Sequence, residues 1–241
     1  MRLDKLLAHS GYGSRKDVKD IIKKGYVTVN DVVIKKDKHQ IDPKNDKIEV
    51  DGERVLYEEY VYYMLNKPDG YVSATEDNLH PTVVELIDDY YRDDLFPVGR
   101  LDIDTEGLLL LTNDGVLAHQ LLSPKSHCSK IYYAKVSGIV EGQDVEKFKD
   151  GITIDTGYQC MSAGLEILDV KDGISEVKVE IFEGKFHQVK KMFKAVGKEV
   201  IYLKRIQMKN LILDDELELG EYRRLTNEEL DRLKDDNMLQ L

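Results

Sequence analysis

The sequence predicts an α+β protein in two parts, a small basic module over residues 1–58 and a larger mixed domain over residues 59–241. Three observations lead there. Helix signals and then a hairpin signal occupy the first fifty residues. Beyond them, strand patterns mix with isolated helices and never fall into regular βαβ alternation. The length, 241 residues at about 150 per domain, suits one large domain with a small companion.

The first element is a helix, because Leu3, Leu6 and Leu7 recur at helical spacing before Gly11 and Gly13 break it. Ser14 with Asp17 forms a capping-box pattern that starts a second helix, with Val18, Ile21 and Ile22 as its apolar face. Gly25 stands where a helix end favours a left-handed residue. Val27 and Val29, an Asn30-Asp31 turn, and Val32 to Ile34 then read as a hairpin. Arg15, Lys16, Lys19, Lys23 and Lys24 make the outer side of the second helix cationic. Residues 48–58 are polar and acidic and read as a linker or as the module's return strand. In the larger part, Val61 to Leu65 reads as a buried strand, and Val177, Val179 and Ile181 alternate as a half-buried one. Phe186, Val189, Met192 and Val196 keep helical spacing, with Gly197 as the stop. No internal repeat is present.

Composition narrows the class. The chain is 41% hydrophobic and 34% charged, as globular proteins are and disordered or fibrous ones are not. Its longest apolar run, Tyr60 to Leu65, is far short of a membrane span. Met1-Arg2-Leu3-Asp4-Lys5 has no secretion-signal core, and Cys128 and Cys160 suggest neither a disulfide framework nor a zinc site, so a cytoplasmic protein is expected. A net charge of −11 argues against nucleic acid, but its distribution argues the other way. Residues 1–47 carry 12 Lys+Arg against 7 Asp+Glu, and residues 183–209 carry 8 against 2. Two basic regions on an acidic body suit a steered RNA or DNA binder, although lysines on solvated faces would give the same count.

The segment Arg100-Leu101-Asp102-Ile103-Asp104-Thr105-Glu106-Gly107 is an acidic loop feeding the strand Leu108 to Leu111, which an Asp114-Gly115 turn closes. A carboxylate beside a buried strand and an arginine can be a nucleophile or base. Three acids at alternate positions can equally chelate magnesium, or form a solvated loop. His127 and His187 lack a carboxylate or second histidine at ligand spacing on the same helix, which argues against a metal there.

Arg2-Leu3-Asp4-Lys5-Leu6-Leu7, Ser14-Arg15 and Gly25-Tyr26-Val27-Thr28-Val29-Asn30 resemble an S4 RNA-binding domain. The Gly99 to Gly115 stretch resembles the signature of pseudouridine synthases of the ribosomal small subunit pseudouridine synthase A type. So do Met64-Leu65-Asn66-Lys67-Pro68, Gly70-Tyr71-Val72, His80-Pro81-Thr82-Val83, Ser123-Pro124, His127-Cys128, Lys130, Tyr132 and Glu183-Gly184-Lys185 with His187 to Met192. The resemblance spans nearly the whole chain. It implies an S4 helix–helix–hairpin domain followed by a catalytic domain with a mixed, mainly antiparallel sheet flanked by helices.

The activity it implies is isomerisation of a uridine to pseudouridine on a flipped-out base, without a cofactor. His80-Pro81 and His127-Cys128 lean towards a 16S ribosomal RNA substrate over 23S RNA, and position 516 is what the family likeness, and not these residues, implies. A monomer acting on 16S RNA in a small-subunit assembly context, with no membrane partner, follows from the same likeness. The resemblance makes Asp102 the nucleophile, Tyr132 the stacking and proton-transfer residue, and Lys185 the cation paired with Asp102. It assigns Arg100, Leu203, Lys130, His187 and Arg205 to substrate binding, with Arg100 filling the vacated stack or holding a phosphate and Leu203 beneath the base. It assigns Arg2, Arg15, Lys16, Lys19, Lys23, Lys190 and Lys191 to RNA contact. Two other classes fit parts of the pattern. A non-catalytic S4-type assembly factor predicts a broken nucleophile, whereas Asp102, Tyr132 and Lys185 are all present. A metal-dependent phosphodiesterase using Asp102, Asp104 and Glu106 predicts further ligands that the sequence lacks.

Overall fold

A computed structural model describes residues 1–89, 91 and 94–235. The chain divides into two compact units, Met1–Val61 with Asp88–Asp94, and Tyr62–Ile87 with Leu95–Leu241.

In the smaller unit, α1 (Leu3–His9) and α2 (Arg15–Lys24) precede β1 (Val27–Val29), β2 (Val32–Val33), β3 (Ile48–Val50) and β4 (Glu53–Arg54). The expected capping box is present, with Ser14 and Asp17 exchanging side-chain-to-backbone bonds, and Gly25 ends α2 at φ 84°. Asn30 and Asp31 both take positive φ, as a tight hairpin turn with the strands' own twist requires. The strands run in the order β2-β1-β3-β4, so residues 48–54 are return strands rather than a linker. Leu3, Leu6, Leu7, Val18, Ile22, Val27, Val29 and Ile48 form the core of this unit. Arg15, Lys16 and Lys23 are exposed and Lys19 is half-buried, so α2 presents a cationic face. Arg2 is otherwise engaged. Its guanidinium donates twice to Asp4, at 2.9 and 2.6 Å. Asp4 is buried, and its partner neutralises it, which gives Arg2 a packing role within the module.

The larger unit contains β5 (Tyr62–Lys67), β6 (Phe96–Pro97), β7 (Glu106–Thr112), α3 (Gly115–Leu122), β8 (Lys130–Ser137), α4 (Gly142–Asp150) and β9 (Gly164–Lys171). It continues with β10 (Ile174–Ile181), α5 (Gln188–Ala195), β11 (Glu199–Met208), β12 (Leu211–Ile212), β13 (Tyr222–Arg224) and α6 (Asn227–Lys234). Its sheet runs β13-β5-β7-β11-β8-β10-β9, with β6 beside β7 and β12 beside β11. Among the described residues β7 and β11 pair in parallel and the other neighbours antiparallel, the mixed, mainly antiparallel sheet that was expected. Both anticipated strands are present: β5 is buried throughout, and β10 alternates with Val177, Val179 and Ile181 inward.

Two local expectations change. Phe186 lies outside α5 and is 71% exposed, because His187 caps that helix with φ 53° and turns the chain before it starts. Asp114 closes no simple turn. Its carboxylate accepts from the Val116 and Leu117 amides and caps α3.

The parallel seam of β7 and β11 depends on one glycine. Gly107 has φ 98°, and a Cβ there would collide with the carbonyl oxygen and amide of Arg205. The two strands that carry the site can approach as they do only because residue 107 has no side chain.

Candidate active site

Asp102 sits on the loop entering β7, and the segment after β5 holds that loop in place. Lys67 is fully buried, and its ammonium donates to the carbonyls of Pro68, Ile103 and Thr105 at 2.9, 3.1 and 2.9 Å. The Gly70 amide donates to Ile103 as well. Ser73 Oγ donates to the Leu101 carbonyl and accepts from the Leu101 amide. The backbone at 101, 103 and 105 is thus tied down on either side of Asp102 and Asp104. Burial pushes the Lys67 ammonium down to about 8, against the pull of Asp69, Asp104, Glu106 and Asp102.

The Asp102 carboxylate is one-quarter exposed and lies between Lys190 of α5 and His187, the residue that caps that helix. Lys190 Nζ is 3.3 Å from Oδ2, and His187 Nε2 is 3.6 Å from Oδ1. Lys190 also binds Asp104 at 2.6 Å. Burial works against the charge of Asp104, but the bond from Lys190 and its field outweigh that and hold the carboxyl below its ordinary range. Glu106 turns elsewhere and accepts from the Tyr202 hydroxyl at 2.6 Å. The three acids therefore do not converge. Among the described residues no group of three His, Cys, Asp or Glu side chains is placed to hold a metal ion.

The cleft over Asp102 is walled by Arg100, Leu101, Thr105, Tyr132, Ile181, Lys185, Gln188 and Leu203 among others. Strand register explains the grouping. On β8 and β11, Tyr132 faces Arg205 and Ala134 faces Leu203, while Val179 of β10 flanks Tyr132 from the other side. Tyr133 points away and packs edge-on against Tyr202, as alternation along a strand demands.

Lys185 is where the expectation fails. Its ammonium lies over the Tyr158 ring, 4.4 Å from the centroid, and no ion pair joins it to Asp102 among the described residues. The cation that does meet Asp102 is Lys190, which the sequence reading had assigned to RNA contact. Gln188 accounts for the difference. Buried at the first turn of α5, it accepts from the Lys185 amide and donates to Glu183, which turns the 183–185 segment to the rim of the cleft. Lys191 reaches Asp155 at 3.2 Å, away from Asp102. Arg205 is 1% exposed, and its Nε donates to the Leu108 carbonyl. Lys67, Ser73 and Lys190 are the positioning and pairing residues that the sequence reading missed. The signal for Lys67 was a lysine at the end of a mainly apolar strand.

A carboxylate beside a lysine and an imidazole, with a tyrosine and an aliphatic side chain on the adjoining wall, suits attack on a flat, uncharged ring. Residues 61–195 match the family model for RNA pseudouridylate synthase. The chain belongs to this family. Residues 1–48 match the S4 domain, so the synthase carries that module at its N-terminal end. An uncharacterized RNA pseudouridine synthase of Bacillus subtilis (strain 168) is 49% identical, over 98% of this chain and 99% of its own. The ribosomal small subunit pseudouridine synthase A of Vibrio parahaemolyticus is 40% identical, over 96% and 98%. The ribosomal large subunit pseudouridine synthase B of Bacillus subtilis is 41% identical, over 97% and 95%. A crystal structure of a pseudouridylate synthase superposes with a TM-score of 0.69 at 37% identity, covering 97% of this synthase and 99% of that chain. Among the described residues no helix is long and apolar enough to cross a membrane.

Proposed function

We propose that this synthase converts one uridine of 16S ribosomal RNA to pseudouridine, with Asp102 as the nucleophile. The observation that carries the reading is the Asp102 carboxylate, fixed at a cleft by the Lys67 clamp and flanked by Lys190 and His187. The reaction needs no external reactant. The bond from ring nitrogen to C1′ breaks, the base turns, C5 bonds to C1′, and the proton lost from C5 is balanced by one gained at the freed nitrogen. A carboxylate attacks carbon at neutral pH without prior deprotonation. Tyr132 offers a ring for the flipped uracil to stack on, and a hydroxyl for the proton transfer. Leu203 supplies an apolar floor. Arg100, at the mouth, fills the space that the extruded base leaves. Lys190, in place of Lys185, is the counter-cation of the nucleophile.

The S4 module adds a cationic helix, with Arg15, Lys16, Lys19 and Lys23 as RNA contacts. On this reading the enzyme works in the cytoplasm, on ribosomal RNA within an assembling small subunit. A 23S substrate is the second reading, favoured by the 41% identity to a relative named for the large subunit. Mapping pseudouridines in ribosomal RNA from cells lacking the gene tests both. Loss of one 16S pseudouridine, restored by the wild type and not by Asp102→Asn, is the expected result. Loss in 23S RNA supports the second reading. No loss in either RNA, or restoration by Asp102→Asn, overturns the assignment.

A further inference from the structure

Beside the Asp102 cleft, and sharing Arg100, Tyr132, Gly184 and Lys185 with it, lies a second cavity of about 440 Å³. It opens where the end of α3 and the 123–126 turn meet β8, β11 and the 182–185 segment. Four cations line it: Arg100, Lys130, Lys185 and Arg205. The one carboxylate on its wall, Glu183, is already occupied, accepting from the Tyr158 hydroxyl, the Met161 amide and Gln188.

The two inner cations are the unusual pair. Arg205 is 1% exposed, and its Nη2 is buried without a hydrogen-bond partner among the described residues. Lys130 donates to the Cys128 carbonyl at 2.7 Å, and no carboxylate among the described residues pairs with either side chain. Burial pushes the Lys130 ammonium down, and the Arg205 charge adds to that effect. Burial also pushes the neighbouring Cys128 thiol up, so it stays neutral and provides no counter-charge. A buried guanidinium, a half-buried ammonium of like charge beside it and an unmatched guanidinium N–H are costly for a fold that gains nothing from them. An anion with several acceptor oxygens resolves all three features at once. A phosphodiester does so with the geometry that guanidinium and ammonium donors prefer.

We propose that this cavity is a phosphate subsite, in which Arg205 and Lys130 hold the phosphodiester adjoining the uridine bound over Asp102. The proposal rests on the RNA substrate proposed above and adds where its backbone is gripped. Register supports the placement. Arg205 is the cross-strand partner of Tyr132, and Lys130 lies two residues before Tyr132 on the same face of β8. A nucleotide whose base stacks on Tyr132 therefore has its own backbone beside both cations.

Arg205 also holds the Leu108 carbonyl, so Lys130 is the residue to vary in the full-length protein. An RNA fragment containing the target uridine is titrated at several salt concentrations against wild type, Lys130→Gln and Lys130→Arg. Each phosphate contact contributes about 0.7 to the slope of log affinity against log salt for single-stranded RNA. Lys130→Gln is expected to flatten the slope by about that amount, and Lys130→Arg to preserve it. A purely structural role for Lys130 would lower stability without moving the slope. Fragments carrying one neutral methylphosphonate linkage at a 2′-deoxy position then locate the contact. With the linkage beside the target uridine, wild type should show the flattened slope and Lys130→Gln no further change. An unchanged slope for Lys130→Gln overturns the subsite. A slope change that persists for every position of the neutral linkage overturns its assignment to the RNA backbone at the target. Pseudouridine formation by the same wild-type sample reports separately on the proposed reaction.

Discussion

Lys67→Met removes the buried ammonium that binds three carbonyls around the Asp102 loop. Ile103 keeps the Gly70 amide as a donor, so the variant leaves the Pro68 and Thr105 carbonyls without this partner. Orphaned buried acceptors cost about 1–3 kcal/mol each, or about 2–6 kcal/mol together. Against that, burial lowers the Lys67 ammonium from 10.5 to about 8, a penalty of roughly 3 kcal/mol that methionine does not carry. The net effect runs from a gain of about 1 kcal/mol to a loss of about 3 kcal/mol, so any fall in Tm is no more than about 10 °C at this chain length. Ser73 still holds Leu101, so Asp102 shifts slightly and kcat should fall roughly tenfold. Thermal unfolding and single-turnover pseudouridine formation measure the two effects.

The wild-type enzyme adds a check of opposite sign. Above a pH of about 8 the neutral Lys67 amine has two N–H groups for three carbonyls, so activity should decline on the alkaline side. Stability moves the other way. Between about pH 8 and 10.5 the unfolded state binds more protons at this lysine than the folded state, so its contribution to stability rises with pH. Unchanged turnover in Lys67→Met, or activity and stability falling together through that window in wild type, would refute the clamp.

Lys190→Met should lower kcat by about 100-fold, the scale of losing one preorganised electrostatic partner, while Lys185→Met should act mainly on RNA affinity. Single-turnover rates and binding titrations on both variants decide it, and the reverse ranking would restore Lys185 as the partner of Asp102. Gly107→Ala should destabilise the synthase by about 2–6 kcal/mol through positive-φ strain and a backbone collision at β11. Thermal unfolding reads this, and a Tm within a degree of wild type contradicts the reasoning.

Much of the local structure was legible in the chain. Ser14 with Asp17, the Asn30-Asp31 turn and the alternation of Val177, Val179 and Ile181 act over a few residues, so spacing reports them directly. Phe186 misled because apolar spacing cannot show where a helix starts; that depends on the left-handed backbone at His187. The pairing of Asp102 was illegible for another reason. Asp104, which shares Lys190 with it, is separated from that lysine by 86 positions. Whether Lys185 or Lys190 reached the acid depended on how Gln188 turned the residues before α5.

The order of residues alone determined which chemical groups this synthase possesses and which short elements they build, since propensity, capping and alternation act between near neighbours. Which cation meets Asp102, which carbonyls bind Lys67, and which buried charges share a cavity were decided only when β7, β8 and β11 packed side by side. Ion pairing and desolvation depend on distances through space, and these exist only once the sheet has formed.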